Sequence, residues 1–341
     1  MTIPFNLLAP FPKVTLIDGP TPIQRLSRLE SALGLNAQDI RLYMKHDDAP
    51  VLGGGGNKLR KLEFHFGHAL ANHANVIITT GGLQSNHARL TAAACARLNL
   101  RCILVLSSPV PLSDEDYVNN GNTLLNNLLG AEVHLVPPTT TAAAMIAQLT
   151  QDLTAQGLVP YFMPTGGSTA TGCLGYVNAA LEIIAQEQAL GLTFDQVLLA
   201  NGSSGTHAGL SAGFAVAQHP TQVKSYAVLA NRQVTQEQTH TLVAETLALL
   251  GSANMAANVT INVDDGQLGQ SYGLPTAEMK SALHCLARTE GLLLDPVYSG
   301  KAFAGLIHDL RQNSFAPGSK LLFLMTGGTP ALYAYKDHLA D

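Results

Sequence analysis

The chain has 341 residues, 46% of them hydrophobic and 13% charged, with a formal net charge of -5. That balance excludes a disordered chain, and without any long run of Lys or Arg it excludes a nucleic-acid partner or an anionic membrane surface. The length predicts two domains, or one large domain with an inserted lobe.

In chain order, the start MTIPFNLLAPFPKV lacks a basic segment followed by a sustained apolar stretch, so no signal peptide is expected. Residues 53–63 read GGGGNKLRKLE, and Leu59, Leu62, Phe66 and Leu70 fall on one face of a predicted helix, 59–72. The glycine run permits close approach to the main chain or a phosphate-cradling loop. Lys58 at its end is open to three readings: a charge for a phosphate, a covalent attachment point, or a solvated side chain. Strands follow at NVIITT (75–80), RCILVL (101–106), AEVHLVP (131–137), LVPYFMP (158–164), FDQVLLANG (194–202), SYAVLA (225–230) and KLLFLMTGG (320–328). Between them lie helical patterns at 86–98, 119–129, 141–156, 172–190, 205–217 and 276–290. Most strands are continuously apolar, as parallel strands buried on both faces are. The alternation predicts an α/β fold of two lobes, with open twisted parallel sheets, helices on both faces and a cleft between them.

Three glycine-rich loops follow strands, where ligands bind in open α/β sheets. In TTGGLQSNH (79–87), Ser85 and Asn86 stand at a helix N-terminus, which is either a plain cap or a carboxylate or phosphate site. In NGSSGTHAGL, Gly202, Ser203, Ser204, Gly205 and Thr206 read as a single phosphate cup or an ordinary tight strand-to-helix turn, not as a P-loop or dinucleotide motif. The third loop, MTGGTPAL, opens with Thr326. Tyr272 in QSYGLP and Tyr298 in DPVYSGKAF read singly as packing tyrosines. His65, His68 and His73 have no carboxylate or cysteine at ligand spacing, so no metal is expected. No G-x-S-x-G elbow occurs. The four cysteines are scattered, and Cys95 and Cys102 read as core residues, which fits a reducing compartment. No stretch reaches the ~18 apolar residues that span a bilayer, and a cytoplasmic protein is expected.

A lone phosphate cup, a lysine in another loop and a glycine-rich anion loop together point to pyridoxal phosphate. That cofactor needs an attachment lysine, a phosphate cup, a group facing its pyridine nitrogen and a carboxylate site for an amino acid.

TPIQRLSRLE, LYMKHDD, GGNKLRKLEF, TTGGLQSNHARLTAAA, GGS at 166–168, NGSSGTHAGL, SYGLP, DPVYSGKA and TGGTPAL occur in one order along nearly the whole chain. In this the chain resembles the 1-aminocyclopropane-1-carboxylate deaminase / D-cysteine desulfhydrase family, tryptophan synthase β-like enzymes of pyridoxal phosphate fold type II. The resemblance implies a homodimer with a large cofactor-binding domain (1–55 plus 166–341) and a small domain (56–165). It implies that Lys58 carries the cofactor and that Asn86 meets the ring hydroxyl. Ser85 with its loop, including Asn86 and His87, and Tyr298 would bind the substrate. Gly202 to Thr206 would bind phosphate, and Tyr272 and Tyr298 would be the active-site tyrosines. Deaminases of the family carry Glu after the DPVY tyrosine and Leu before the last GG. Here Ser299 and Thr326 occupy those places, facing the ring nitrogen, which is the pattern of the desulfhydrase branch. Met325 stands where the family often has His, so a changed adjoining pocket is expected. The implied reaction is β-elimination of D-cysteine to pyruvate, hydrogen sulfide and ammonia. The rivals are elimination from cysteate or a β-substituted D-alanine, the deaminase reaction, a pyridoxal phosphate carrier without turnover, and a nicotinamide dehydrogenase.

Overall fold

The computed structural model describes residues 7–339; residues 1–6, where the segment read as lacking a leader begins, lie outside it. The strands are β1 (Ile23–Arg25), β2 (Arg41–His46), β3 (Val76–Gly82), β4 (Arg101–Ser107), β5 (Glu132–Leu135), β6 (Pro160–Met163), β7 (Gln196–Asn201), β8 (Gln222–Ala227), β9 (Asn262–Asp264) and β10 (Lys320–Met325). The helices are α1 (Ser27–Ala32), α2 (Lys58–Ala71), α3 (Asn86–Leu98), α4 (Glu115–Asn119), α5 (Asn122–Leu128), α6 (Ala142–Ala155), α7 (Ala170–Leu190), α8 (Gly205–Val216), α9 (Arg232–Leu249), α10 (Ala277–Glu290), α11 (Ser299–Arg311), α12 (Pro330–Ala334) and α13 (Lys336–Leu339).

Two sheets result. One has six strands in the order β1-β2-β10-β7-β8-β9, and the other four in the order β5-β4-β3-β6. All pairings are parallel except β1 with β2. Alternate residues of each strand serve opposite faces. In the smaller sheet, Ile77, Leu104 and Leu106 pack with Leu62, Phe66 and Leu90 of α2 and α3, while Val76, Ile78, Ile103 and Val105 pack with Leu153 of α6. In the larger sheet, Leu42, Met44, Leu198 and Phe323 meet α10 and α11; Tyr43, Val197, Leu199 and Leu322 meet α7 and α8. Each such buried side chain contributes ~1.5–3 kcal/mol. Both faces of both sheets are covered, which is why the strands are apolar without alternation.

Every predicted strand is present. Three more, β1, β2 and β9, were not predicted, nor were α9 and α11. In β2 the apolar run is interrupted by Lys45, which is fully buried yet paired to Glu182 at 2.5 Å. In α9 part of the buried face is threonine (Thr235, Thr239, Thr246) rather than apolar. The helix predicted over 119–129 is two, broken at Gly121, whose φ is 60°. Cys95, Cys102 and Cys173 are buried. Among the described residues no helix is long and apolar enough to cross a membrane, and no cluster of metal-ligating side chains occurs.

One buried ionic knot ties α2 to the larger sheet. The Arg60 guanidinium donates to Asp47 through Nε and Nη2, and to Glu182 of α7 through Nη1 and Nη2, each at 2.9 Å. The Tyr176 hydroxyl adds a bond to Asp47 at 2.6 Å. Burial alone would raise the Asp47 carboxyl, but Arg60, Lys45 and Tyr176 outweigh it and hold it below the usual range. Replacing Arg60 by Met leaves the buried Asp47 carboxylate and the partly buried Glu182 carboxylate with Lys45 as the remaining cation of the knot. Urea unfolding should show a loss of about 3–5 kcal/mol. Because the Asp47 shift is downward, its contribution is complete above the ordinary carboxylate pKa of ~3.9 and vanishes as pH falls through the lowered value. The stability gap between wild type and Arg60→Met should therefore narrow in acid. An equal gap at all pH values would refute the role of Asp47.

Candidate active site

A cavity of about 670 Å³ opens between the carboxyl ends of the two sheets. Lys58, Ser85, Asn86, His87, Gly202, Ser203, Ser204, Thr206, Tyr272, Tyr298 and Thr326 all line it, so residues from six separate segments of the sequence meet in one place.

The four glycines before Lys58 do not line it. All have positive φ, 60° to 138°, and the chain there is crowded. A Cβ on Gly55 would stand 1.9 Å from the Asp48 carbonyl oxygen, and one on Gly53 2.6 Å from Ala93 Cβ. The glycines thus serve close approach, not phosphate. Arg89 of α3, fully buried, donates to the Gly53 carbonyl at 2.5 Å and to that of Gly55 at 2.9 Å. The Asn57 N–H donates to the Thr326 carbonyl at 3.1 Å, and its side-chain amide to Thr206 Oγ1 at 3.2 Å. Lys58 therefore leaves a main chain held from three sides. Burial lowers its ammonium to about 8, against the raising effect of Asp295.

Beyond β3, Ser85 caps α3, its Oγ accepting the Ala88 N–H at 3.1 Å, and it lines the cavity as well. The cap and the ligand readings thus fall on one residue. The first N–H groups of α3 have no place in its own ladder and carry the positive end of its dipole. Asn86 accepts from the Asn122 amide at 2.9 Å. The Thr79 hydroxyl donates to the Met163 carbonyl at 2.9 Å, so at 2.8 Å it accepts from His87 Nε2. Burial, then Lys58, drive His87 well below its usual pKa, and it is a neutral wall residue.

Beyond β7, Ser204 adopts φ 64°, its N–H bound to Asn201 Oδ1 at 3.0 Å, and its hydroxyl has no protein partner. Ser203 Oγ shares a hydrogen bond with Ser168 Oγ at 2.8 Å, and Ser168 accepts from Lys61 at 3.0 Å. A Cβ on Gly205 would lie 2.6 Å from Ser168 Oγ and 2.8 Å from Lys61 Nζ. Lys61, fully buried, is driven well below its usual pKa by burial and by Lys58. Lys61 and Ser168 were not singled out as site residues from the sequence; the signal was Lys61 standing three residues after Lys58, facing the same way on α2.

The Tyr272 and Tyr298 hydroxyls are hydrogen-bonded to each other, their rings edge to face at 6.1 Å. Burial raises both phenols, Tyr298 far above its usual value, so both stay protonated. Two expectations are corrected here. Ser299 does not line the cavity: it is fully buried, and its hydroxyl donates to Asp295 Oδ1 at 2.6 Å. Its proton therefore goes to a carboxylate, not to a ring nitrogen. Met325, the last residue of β10, is 1% exposed, packs in the core of the larger sheet and does not line the cavity. Asp295 is the charged residue of this region that sequence reasoning missed.

The arrangement fits pyridoxal phosphate on its own chemistry. A cup of small residues stands beside a buried lysine that has no carboxylate partner among its hydrogen bonds, a second lysine reaches the cavity, and an open helix N-terminus lies opposite. The family of pyridoxal-phosphate dependent enzymes matches residues 14–327. The chain is 41% identical to the D-cysteine desulfhydrase of Salmonella typhi over 99% of this chain and 100% of that protein. It is 42% identical to that of Yersinia enterocolitica over 96% of this chain and 97% of that protein. A crystal structure of an ACC deaminase homologue is 36% identical, with a TM-score of 0.88 over 99% of this chain and 98% of that one. A pyridoxal 5'-phosphate-dependent aspartate racemase, 15% identical with a TM-score of 0.64 over 90% of each chain, shares the fold.

Competitive acetylation of the cofactor-free protein, read by mass spectrometry across pH, should give Lys58 a midpoint near 8. Exposed Lys336, which Asp116 raises, should titrate higher. A Lys58 midpoint coinciding with that of Lys336 would show that burial does not tune it.

Proposed function

We propose, from the premise that this chain belongs to the pyridoxal-phosphate-dependent enzyme family, that it converts D-cysteine to pyruvate, hydrogen sulfide and ammonia. The observation that carries this reading is the 41–42% identity, over 96–99% of the chain, with D-cysteine desulfhydrases. We place the reaction in the cytoplasm and in a homodimer. We read residues 1–55 with 166–341 as the large cofactor-binding domain and 56–165 as the small one; the four-stranded sheet falls wholly inside the latter.

Bound pyridoxal phosphate supplies an electron sink for the carbanion formed at the substrate's α-carbon. Lys58 is its covalent attachment point. Gly202, Ser203, Ser204, Gly205 and Thr206 would hold the phosphate, with Lys61, bonded to Ser168 beside the cup, as its counter-ion. Asn86, steadied by Asn122, would meet the ring hydroxyl. Thr326 would stand at the ring-nitrogen end, a hydroxyl that enforces no charge there. Ser85 and the N–H groups opening α3 hold the substrate carboxylate, with His87 as a neutral wall. Lys58, with its amine near 8, is the better base for the α-proton. Tyr298, held protonated and bonded to Tyr272, is the donor beside the departing sulfur. Loss of that proton and of sulfur leaves a product that water converts to pyruvate and ammonia.

The decisive assay measures pyruvate and sulfide from D-cysteine, L-cysteine, cysteate and β-chloro-D-alanine, and 2-oxobutyrate from the cyclopropane amino acid. D-Cysteine should give equimolar pyruvate and sulfide, and Lys58→Ala neither. Turnover of the cyclopropane substrate alone would overturn the reading in favour of the reaction for which the 36% identical homologue is named.

Lys61→Met removes a charged partner worth about 2 kcal/mol, so the Kd for pyridoxal phosphate should rise ~30-fold while the protein stays folded. An unchanged Kd by fluorescence titration would remove Lys61 from the phosphate site.

A further inference from the structure

The stretch DPVYSGK, residues 295–301, holds more than the tyrosine at its centre. The Asp295 carboxylate is fully buried and takes four hydrogen bonds. Oδ2 accepts the N–H groups of Val297 at 2.9 Å and Tyr298 at 2.8 Å; Oδ1 accepts the Ser299 N–H at 2.7 Å and its hydroxyl at 2.6 Å. The turn is closed by the Asp295 N–H on Ser299 Oγ at 2.8 Å. Two residues after Ser299, in the first turn of α11, the fully buried Lys301 donates to the carbonyls of Leu268 at 2.7 Å and Ser271 at 3.3 Å. Ser271 is the residue before Tyr272. The two tyrosine hydroxyls, bonded to each other in the cavity wall, are therefore fixed through main chains that this one stretch grips separately.

We propose that Asp295 and Lys301 are positioning residues of the elimination: Asp295 sets the Tyr298 hydroxyl and Lys301 sets the Tyr272 hydroxyl. The reasoning is one of donor counting. Each Asp295 oxygen serves two donors, so no apolar residue can replace it, and an amide would turn N–H donors against N–H donors. The Lys301 stem reaches two carbonyls of a loop that has little regular structure of its own. What the pair does to substrate rests on the function proposed above; where the pair stands does not.

The test uses holoenzyme carrying 3-fluorotyrosine, with the Tyr272 and Tyr298 fluorine resonances assigned by Tyr→Phe variants. Asp295→Asn should move or broaden the Tyr298 resonance, and Lys301→Met that of Tyr272, while Tyr43 and Tyr333 stay in place. Both variants should keep their cofactor and lose kcat for pyruvate release about 10- to 100-fold, as small misplacements of reacting groups do. Should Asp295→Asn fail to fold, Ser299→Ala removes one of the four donors and should shift the same Tyr298 resonance by less. Unmoved resonances with wild-type kcat would overturn the proposal. So would loss of cofactor with every tyrosine resonance moving together, the mark of a merely structural role. If wild-type enzyme makes no pyruvate from D-cysteine, the proposed reaction fails, and the fluorine resonances alone decide the positioning roles.

Discussion

The architecture depends on a charge that would be costly to bury alone. Arg60 sits two residues after Lys58, is 3% exposed, and directs Nε, Nη1 and Nη2 at Asp47, Glu182 and Thr21. With Lys45 the knot holds two positive and two negative groups, and Lys45 also reaches the Thr21 carbonyl and Gln186. Such a group is tolerated inside only when it is fully partnered. Its partners come from the end of β2 and from α7, so α2 has one position in which the charges are satisfied. The Arg89 bonds to the glycine loop and the Asn57–Thr326 bond then remove the remaining freedom of the chain entering Lys58. The main chain at Lys58 is thus set by ionic geometry rather than by packing alone.

Around the cavity the balance of charge runs against that of the molecule. The chain as a whole carries -5, yet Lys58, Lys61 and Arg89 lie within or directly behind the cavity walls, with Asp295 as the carboxylate facing Lys58. Burial lowers all three cations, Arg89 to about 10. Downward shifts of buried cations mean that the folded chain holds positive charge at a cost. A phosphate dianion at the cup and a carboxylate at α3 would relieve it. The site is thus poised for an anionic ligand, and occupancy should stabilise the fold by mass action.

Legibility followed sequence distance. The glycine loops after β3, β7 and β10, the lysine at the mouth of α2 and the doubly covered sheets were readable because each lies within a few residues of its own signal. The partners that tune them were not. Asp295 carries no signal within DPVYSGKAF until its four donors are seen, and Ser299 reads as a ring-facing hydroxyl until Asp295 is found to hold its proton. Lys61 is a buried cation only because Ser168 and Gly205, more than a hundred residues away, close over it. The tetraglycine run was open to a phosphate reading in sequence. In the structure Asp48, Pro50 and Ala93 occupy the space that side chains would need. Strand β2 was missed because a buried salt bridge, invisible from one strand alone, makes a lysine acceptable in the core.

Four helices begin at this cavity: α2 at Lys58, α3 at Asn86, α8 at Gly205 and α11 at Ser299. Each brings the positive end of its dipole to the same region. The chain treats them differently. α11 is answered internally, since Asp295 satisfies its first N–H groups and so leaves Tyr298 to project instead of an anion site. α3 is half answered, by Ser85 on Ala88 N–H alone. α8 is preceded by Ser204, whose side chain makes no cap and whose hydroxyl has no protein partner. The degree of capping therefore orders these three termini by the room each leaves for an anion: most at α8, less at α3, and at α11 none beyond the protein's own aspartate. A carboxylate on α11 frees that terminus from competing for ligand anions, and the same bonds hold a tyrosine at the cavity wall. Capping and the placing of Tyr298 are thus one requirement at that turn, and a change that relieves one must disturb the other.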